Sequence, residues 1–289
     1  MNMGKMDTGT VMYGVFGDPV QHSKSPLMMN RAFQELGINA VYAAFHVRPE
    51  ELKAAVNGIR ALHFRGVNVT IPHKQTVMHE LDEIDEGARI IGAVNTIVND
   101  GGRLIGYNTD GIGYVRSLKE ETNSKLSGKQ ILILGAGGAA RGVAYALAQE
   151  NPEGIWIANR TEQRAVELAE ALSGCGEGEI QGIAWDQIAP LARQIDVVVN
   201  TTMVGMHPHI EEMPVDPAWL HEGMLVSDII YNPMRTKLLQ TAESIGASIH
   251  SGLGMFIHQG AYAFEYWTGQ QAPTAVMRET VERALTRIN

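Results

Sequence analysis

Residues 129–164 read KQILILGAGGAARGVAYALAQENPEGIWIANRTEQR. The apolar run at 131–134 is typical of a strand that is buried on both faces. A glycine-rich turn follows it, then an alanine-rich segment that suits a helix over 138–149, and a second apolar run at 155–158. A strand, a turn, a helix and a strand in this order predict a nucleotide-binding βαβ unit.

The turn carries the G-x-G-x-x-A pattern of dinucleotide-binding domains. Gly135 is expected to permit the tight turn, Gly137 to let a pyrophosphate approach the backbone, and Ala140 to let helix and strand pack closely. The first amides of the helix would face that pyrophosphate. A glycine pattern alone also fits an ordinary turn, so the prediction depends on the strands and helix around it. The expected pyrophosphate contacts are Gly135, Ala136, Gly137, Gly138 and Ala139.

The loop after the second strand indicates which dinucleotide to expect. An NAD-binding domain commonly carries a carboxylate at this strand end, for the ribose 2′-hydroxyl. Asn159, Arg160, Thr161 and Arg164 stand there instead. Guanidinium groups offer a fixed fork of donors to phosphate oxygens, so this loop suits a 2′-phosphate and NADP is the expected cofactor. The alternative for both arginines is a solvated helix start.

Length and composition favour a two-domain α/β enzyme. With 289 residues the chain exceeds the size at which single cores stop growing, and 45% hydrophobic residues with 31 glycines exclude a disordered or fibrous chain. The net charge of -9 disfavours a nucleic-acid partner, because phosphate backbones are bound by basic stripes. Small anionic ligands at local sites remain compatible with it.

Three further features bear on the compartment and on metals. Cys175 is the only cysteine, which excludes an intramolecular disulfide and fits a reducing compartment. No apolar segment approaches the length of a membrane span, and the first residues lack the apolar core of a signal peptide. The ten histidines form no H-E-x-x-H motif. We therefore expect a cytoplasmic protein with no membrane partner and no metal.

Near the N-terminus, two serines stand beside a predicted helix start. After a strand at 10–16, the segment HSKSP places Ser25 as a natural N-cap and Pro26 at the first helical position. Ser23 stands two residues before Ser25. Both serines fit a capping role, and both also fit a ligand site.

The next polar cluster follows a predicted strand at 66–70. The strand runs into IPHK and places Thr70 and Lys74 at the mouth of a sheet, where open α/β folds bind ligands. The alternative for Lys74 is a solvated surface lysine. After a short helical stretch at 82–90, the segment GAVNTIVNDGGRLIGYNTDG predicts a hairpin that turns at residues 100–102. Asn95 and Asp110 then lie on neighbouring β segments, where both side chains can face the same cleft.

The second half of the chain continues the alternation of strands and helices. An apolar run at 195–199 ends in NTTMVGM, where Thr201 suits the nicotinamide half of a dinucleotide, although a turn explains these residues equally well. In the later helix a set of residues at helical spacing predicts a core-facing stripe: Met255, Phe256, Tyr262, Ala263, Tyr266 and Trp267. Gln259 shares this spacing and is expected to be the exception that points into the cleft. A final helix at 273–287 is expected to pack back on the N-terminal domain.

Eight segments follow one another in the order found in shikimate dehydrogenases: HSKSP, NVTIPHK, GAVNT, YNTDG, GAGGAAR, NRT, YNP and GLGMFIHQ. The chain resembles that family over nearly its whole length. The resemblance implies an α/β protein of two domains: an N-terminal open α/β sandwich with a mostly parallel sheet that binds substrate, and a Rossmann-type NADP-binding domain. The expected limits are 1–111 completed by 252–289, and 112–251. The C-terminal helix returns to the first domain.

The resemblance also implies the reaction and its residues. Lys74 and Asp110 would form the catalytic pair for reversible reduction of 3-dehydroshikimate to shikimate with NADPH, a step of aromatic amino-acid biosynthesis. Ile229 and Gly252 would border the nicotinamide; the family often has methionine at the position of Ile229. The residues implied in substrate binding are Ser23, Ser25, Thr70, Lys74, Asn95, Asp110, Tyr231 and Gln259.

Two other functions stay open at this point. One is a quinate/shikimate dehydrogenase of broader specificity that uses NAD or NADP, and the arginine pair disfavours it. The other is an inactive NADP-binding regulatory protein, which has no need to retain both Lys74 and Asp110. The expected partner is a small-molecule substrate, and the expected state is a monomer or a homodimer.

Overall fold

A computed structural model describes residues 6–286 and divides the chain into two compact units. Unit 1 takes in the chain up to Thr109 and again from Gln259 onward, and unit 2 spans Asp110–His258. Each unit contains one six-stranded sheet. The first unit is therefore discontinuous in sequence.

Unit 1 alternates short strands and helices along its first hundred residues. Its sheet has the order β2-β1-β3-β5-β6-β4 and is parallel at three of its five pairings, so the expected mostly parallel sheet is confirmed. The elements are β1 Val11–Gly17, α1 Ser25–Glu35, β2 Ala40–His46, α2 Leu52–Ala61, β3 Gly66–Val69, β4 Glu83–Ile84, α3 Glu86–Ile91, β5 Thr96–Asp100 and β6 Arg103–Tyr107.

The hairpin of β5 and β6 turns where the sequence predicts. Gly101 and Gly102 have φ of 59° and 104°, as a two-residue hairpin turn of type I′ requires. The helical stretch expected at 82–90 is wrong in its first half. Residues 83–84 pair with β6 as β4, and the Asp85 carboxylate accepts hydrogen bonds from the Gly87 and Ala88 amides, which fixes the start of α3 at Glu86.

Unit 2 has a fully parallel sheet with the order β12-β11-β10-β7-β8-β9, and the strand order reverses at β7. This is a Rossmann-type arrangement, which places ligands at the carboxyl ends of the strands next to the reversal. The elements are α4 Asp110–Thr122, β7 Gln130–Leu134, α5 Gly138–Ala148, β8 Gly154–Ala158, α6 Glu162–Ala171, β9 Glu179–Ile183, α7 Ile188–Leu191, β10 Val197–Asn200, β11 Leu225–Asp228, α8 Lys237–Ser244 and β12 Ser248–His250. Helix α9, Gly252–Thr268, begins in unit 2 and belongs to unit 1 from Gln259 onward.

The end of the chain returns to unit 1. Helix α10, Thr274–Thr286, packs against α1, so the expected return of the C-terminal helix is confirmed. The last turn of α9 is anchored in the same unit, because the Trp267 indole donates a hydrogen bond of 2.9 Å to the Ile97 carbonyl. The predicted core-facing stripe of α9 is wrong at Tyr266, which is 41% exposed and lies against the Tyr107 ring.

Within the described residues, the structure contains no helix whose length and hydropathy would allow it to span a membrane.

Candidate active site

Several strand ends of unit 1 meet at one edge of its sheet. Strands β1 and β3 end there, and β5 begins there because it runs antiparallel to β3. The Val69 amide donates to the Asn95 carbonyl at 2.8 Å, and the Asn95 amide donates to the Tyr107 carbonyl at 3.0 Å. The backbone thus brings Asn95 beside the end of β3, where Thr70 follows directly.

The Asn95 side chain is 2% exposed and is held by Thr109, a residue to which the sequence assigned no role. The Asn95 amide nitrogen donates to the Thr109 hydroxyl at 3.0 Å, and its carbonyl oxygen accepts from the Thr109 backbone amide at 2.9 Å. The Thr109 hydroxyl donates to the Gln259 carbonyl at 3.0 Å. Asn95 and Gln259, which are far apart in sequence, are therefore joined through one buried threonine.

A second buried polar residue, Asn68, lies on β3 behind this edge. The Tyr42 phenol donates to the Asn68 amide oxygen at 2.8 Å, and the Asn68 amide nitrogen donates to the Thr96 hydroxyl at 3.0 Å. Burial raises the pKa of Tyr42, and the neighbouring Ser25 hydroxyl opposes that rise. The phenol therefore stays a donor. We call these connected side chains the buried polar layer of unit 1: Asn68, Asn95, Thr96 and Thr109. Its one signal in the sequence was Asn68, a polar residue within the apolar strand GVNV.

Ser23 and Ser25 lie at the start of α1, with a difference from the expected capping. Lys24 is the N-cap and Ser25 is already the first helical residue, while the Ser23 hydroxyl accepts a hydrogen bond from the Ser25 amide at 3.3 Å. Ser25 is buried and Ser23 is partly exposed. The Ser23 hydroxyl thus satisfies the Ser25 amide in a local turn before the helix, and no side chain caps α1 at the N-cap position.

Lys74 lies on the turn that follows β3 and is partly exposed. Its backbone carbonyl accepts a hydrogen bond from the Val94 amide at 2.8 Å, which ties the turn to the chain just before Asn95. Asp110 is 5% exposed and is the first residue of α4, directly after Thr109. A carboxylate in the first turn of a helix is stabilised by the helix dipole.

In unit 2 the glycine turn has the geometry that the sequence predicts. Gly135 has φ of 104°, and a Cβ atom there would lie 2.8 Å from the Thr201 hydroxyl, which itself donates to the Leu134 carbonyl at 2.6 Å. A Cβ on Gly137 or Gly138 would meet no atom within 4 Å. Ala140 is fully buried. The space beside Gly137 and Gly138 at the start of α5 is therefore open, and this fits a dinucleotide pyrophosphate.

The loop after β8 presents both predicted arginines to solvent. The Asn159 side chain donates to the Thr161 carbonyl at 2.8 Å and so fixes the loop, and Thr161 is the N-cap of α6. Arg160 and Arg164 are exposed, and neither forms a salt bridge within residues 6–286. Two guanidinium groups at this strand end fit a phosphate ligand.

The end of β10 explains part of NTTMVGM as a structural turn. Asn200 is fully buried; its side chain donates to the Asp228 carboxylate at 3.1 Å and accepts from the Thr202 amide. Burial raises the pKa of Asp228 to about 6, although hydrogen bonds from Ile230, Thr236 and Asn200 oppose the rise. These contacts fix the ends of β10 and β11 relative to each other.

Three of the residues that the resemblance implies come together beyond β11. The Gly252 amide donates to the Ile230 carbonyl at 3.2 Å, and a Cβ atom on Gly252 would collide with the carbonyl of Ile229. The Tyr231 ring stacks on Phe256 with centroids 4.6 Å apart, and burial raises the pKa of Tyr231.

Across the described residues, no cluster of three or more histidine, cysteine, aspartate or glutamate side chains is arranged to hold a metal ion. The implied substrate residues divide between the units. Unit 1 contains Ser23, Ser25, Thr70, Lys74, Asn95 and Gln259, and unit 2 contains Asp110 and Tyr231.

Three family models match the chain in succession. Residues 15–97 match the shikimate dehydrogenase substrate binding domain, residues 117–231 match shikimate / quinate 5-dehydrogenase, and residues 252–282 match the shikimate 5'-dehydrogenase C-terminal domain. These matches cover parts of both units.

Characterised relatives resemble the chain over almost its full length. The shikimate dehydrogenase (NADP(+)) of Geobacillus kaustophilus is 50% identical over 279 residues, which are 96% of this chain and 99% of that protein. A crystal structure of a shikimate dehydrogenase in complex with NADP+ has a TM-score of 0.91 and 44% identity, covering 97% of this chain and 98% of the other.

The shikimate 5-dehydrogenase of Listeria monocytogenes, solved in complex with shikimate and NAD, has a TM-score of 0.90 and 37% identity, and the match covers 96% of this chain and 98% of that one. Identity at this level over both units is far above what a shared fold alone produces. The chain belongs to the shikimate dehydrogenase family.

Proposed function

We propose that this protein is an NADP-dependent shikimate dehydrogenase, which reversibly reduces 3-dehydroshikimate to shikimate in the biosynthesis of aromatic amino acids. The observation that carries the proposal is the buried polar layer of unit 1, in which Thr109 joins Asn95 to the Gln259 backbone beside Thr70 and Lys74. Fixed amide and hydroxyl groups of this kind suit a small ligand with several hydroxyls. The names of the relatives support the same reaction.

We assign the proton transfer to Lys74. Bound NADPH supplies the hydride that reduces the ring carbonyl. The oxygen that gains negative charge then takes a proton from the Lys74 ammonium, and in the reverse direction the lysine amine accepts the hydroxyl proton. Asp110 orients the hydroxyl and the ammonium group, a role that requires the two side chains to converge on the reacting oxygen.

The other implied residues hold the substrate by hydrogen bonds. Ser23, Ser25, Thr70, Asn95 and Gln259 from unit 1 and Tyr231 from unit 2 are proposed to bind the hydroxyls and carboxylate. The buried Asn95 is suited to this because its orientation is set by Thr109 rather than by the ligand. Preorganised donors lower the entropy cost of binding.

Unit 2 is proposed to bind NADP. The start of α5, with Gly135, Ala136, Gly137, Gly138 and Ala139, suits the pyrophosphate, because the space beside Gly137 and Gly138 is open. The exposed Arg160 and Arg164, with Asn159 and Thr161, suit the 2′-phosphate. Ile229 and Gly252, with Thr201, are proposed to border the nicotinamide.

A broader quinate/shikimate dehydrogenase is less well supported. The name of one matching family model includes quinate, and two similar structures contain NAD, one of them a quinate dehydrogenase. The two exposed arginines at the end of β8, where a carboxylate would select NAD, favour NADP instead. An inactive NADP-binding protein would not need Lys74.

The test is a panel of four assays on the purified protein, with shikimate or quinate as the alcohol and NADP+ or NAD+ as the oxidant. We expect the kcat/KM for shikimate with NADP+ to exceed that of every other pair. Equal values for quinate, or a preference for NAD+, would support the broader enzyme. Absence of turnover with all four pairs would contradict enzymatic function.

We also propose a cytoplasmic location, which the single cysteine supports because it fits a reducing compartment.

The proposed state in solution is a monomer or a homodimer. A measurement of the molar mass in solution distinguishes the two, because one chain has a mass of 31.5 kDa.

A further inference from the structure

His73 directly precedes Lys74 and is one of the least exposed polar side chains of unit 1, with 1% of its surface accessible. Its ring nitrogen Nε2 lies 2.6 Å from the backbone carbonyl oxygen of Val47. A carbonyl oxygen only accepts hydrogen bonds, so Nε2 carries the proton and donates it. This contact joins the turn after β3 to the loop between β2 and α2.

Most other side chains of the turn that carries Lys74 are exposed. Ile71, Pro72, Gln75 and Thr76 are exposed, and Thr70 is partly exposed. Between Val69 and Val77, His73 is the one buried side chain. The imidazole therefore contributes the buried side-chain contact of this turn, and backbone hydrogen bonds contribute to its position as well.

Those backbone bonds enclose Lys74 on both sides. The His73 amide donates to the Thr70 carbonyl at 2.9 Å, and the Val94 amide donates to the Lys74 carbonyl at 2.8 Å. The Thr76 hydroxyl donates to the His73 carbonyl at 3.2 Å. The Lys74 backbone is thus tied to the segment before β5 on one side and, through His73, to Val47 on the other.

Val47 is itself fixed to the end of β1. Its amide donates to the Gly17 carbonyl at 3.1 Å, and the Asp18 amide donates to the Ile71 carbonyl at 3.0 Å. The loops that follow β1, β2 and β3 are therefore braced together. Among these three loops, the His73 imidazole supplies the side-chain hydrogen bond from the turn of Lys74 to the loop that follows β2.

We infer that His73 is a positioning residue for Lys74, acting through the hydrogen bond from Nε2 to the Val47 carbonyl. The inference rests on the proposed role of Lys74 in proton transfer. His73 does not contact the substrate in this account. It holds the turn so that the lysine amine reaches the reacting oxygen, and a displacement of about 1 Å at such a group costs up to about a hundredfold in rate.

Two substitutions separate the hydrogen bond from the mere filling of space. His73→Gln keeps an N–H donor the same number of bonds from Cβ, so it can still reach Val47. His73→Leu keeps a buried side chain but leaves the Val47 carbonyl without this donor. With shikimate and NADP+, we expect His73→Leu to lower kcat about tenfold to a hundredfold with little change in either KM. His73→Gln should retain most of kcat.

His73→Asn provides a second loss variant if His73→Leu does not fold. Its amide is one bond too short to reach Val47, and we expect the same loss of kcat. Thermal midpoints of all three variants show that each is folded at the assay temperature. Wild-type kcat in the Leu or Asn variant would overturn the inference, as would an equal loss in the Gln variant.

The Lys74→Ala background tests whether His73 acts through the lysine. If it does, His73→Leu lowers the residual rate of Lys74→Ala no further, because the group that it positions is gone. If His73→Leu lowers kcat by the same factor in the wild-type and Lys74→Ala backgrounds, His73 has a general structural role and the inference is overturned. An inactive wild-type protein would instead remove the proposed function, and the role of His73 with it.

Discussion

The Gly252 backbone lies so close to the Ile229 carbonyl that a side chain on Gly252 would have to displace it. The amide of Gly252 also donates a hydrogen bond to the Ile230 carbonyl. The start of α9 therefore holds Ile229 and Ile230, the two residues that follow β11 in the chain. In the proposed enzyme Ile229 and Gly252 border the nicotinamide. Their spacing is therefore a requirement on cofactor geometry as well as on packing.

We expect Gly252→Ala to displace either the start of α9 or the segment of Ile229. The free energy of unfolding in urea should fall by about 1–3 kcal/mol, as it does when a packed site receives an extra atom. Turnover with NADPH should fall as well, because the nicotinamide pocket changes shape. Gly58→Ala in α2 is the matched control, since a Cβ there meets no atom within 4 Å and the helix interior favours alanine. Wild-type stability and turnover in Gly252→Ala would contradict the close contact.

Arg160→Ala tests the choice of cofactor. Loss of one charge-assisted hydrogen bond to the 2′-phosphate should raise the KM for NADPH about tenfold to a hundredfold, while the KM for NADH changes little. Arg193→Ala removes another exposed arginine of unit 2 that lies before the start of β10, at the opposite end of the strands from Arg160. That control should leave both constants unchanged, and equal effects of Arg160→Ala on NADPH and NADH would argue against a phosphate contact.

Local features of the chain were legible from the sequence because they depend on a few neighbouring residues. The glycine turn requires a small residue at Gly135, where φ is positive and a Cβ would crowd Thr201, and at the fully buried Ala140, and the hairpin favours glycine at residues 101 and 102. In both cases the backbone conformation or the close packing admits few other residue types. The pattern therefore predicted the structure directly.

The buried polar layer could not be predicted in the same way. Thr109 meets Gln259, and His73 meets Val47, across long stretches of chain, and these pairings depend on how the strands are ordered in the sheet. The sequence offered a signal only at Asn68, a polar residue within an apolar strand. Its partner Tyr42 lies on another strand and carries no local mark of that contact.

Asp228 predicts a pH dependence of stability. Burial raises its pKa from 3.8 to about 6 in the folded protein, so between about pH 4 and pH 6 the folded state binds more protons at this site than the unfolded state does. The contribution of Asp228 to stability is therefore greatest below pH 4 and is lost as the pH rises through 6. The full change corresponds to about 3 kcal/mol.

Asp228→Asn keeps an oxygen that accepts from Ile230 and Asn200 and removes the titrating group. We expect the free energy of urea unfolding of the variant, relative to wild type, to rise between pH 4 and pH 7. Asp216→Asn is the control, because Asp216 is an exposed aspartate of the same unit. A difference between Asp228→Asn and wild type that falls or stays constant with pH would contradict the raised pKa.

The most direct measurement is the rate of NADPH oxidation after addition of 3-dehydroshikimate, with wild type and Lys74→Ala side by side. We predict turnover by the wild-type protein and a kcat at least about a hundredfold lower in Lys74→Ala, because positioned proton transfer contributes about a hundredfold to ten-thousandfold. The KM for the substrate should change less than kcat. No turnover by the wild type, or near wild-type turnover by Lys74→Ala, would contradict the account.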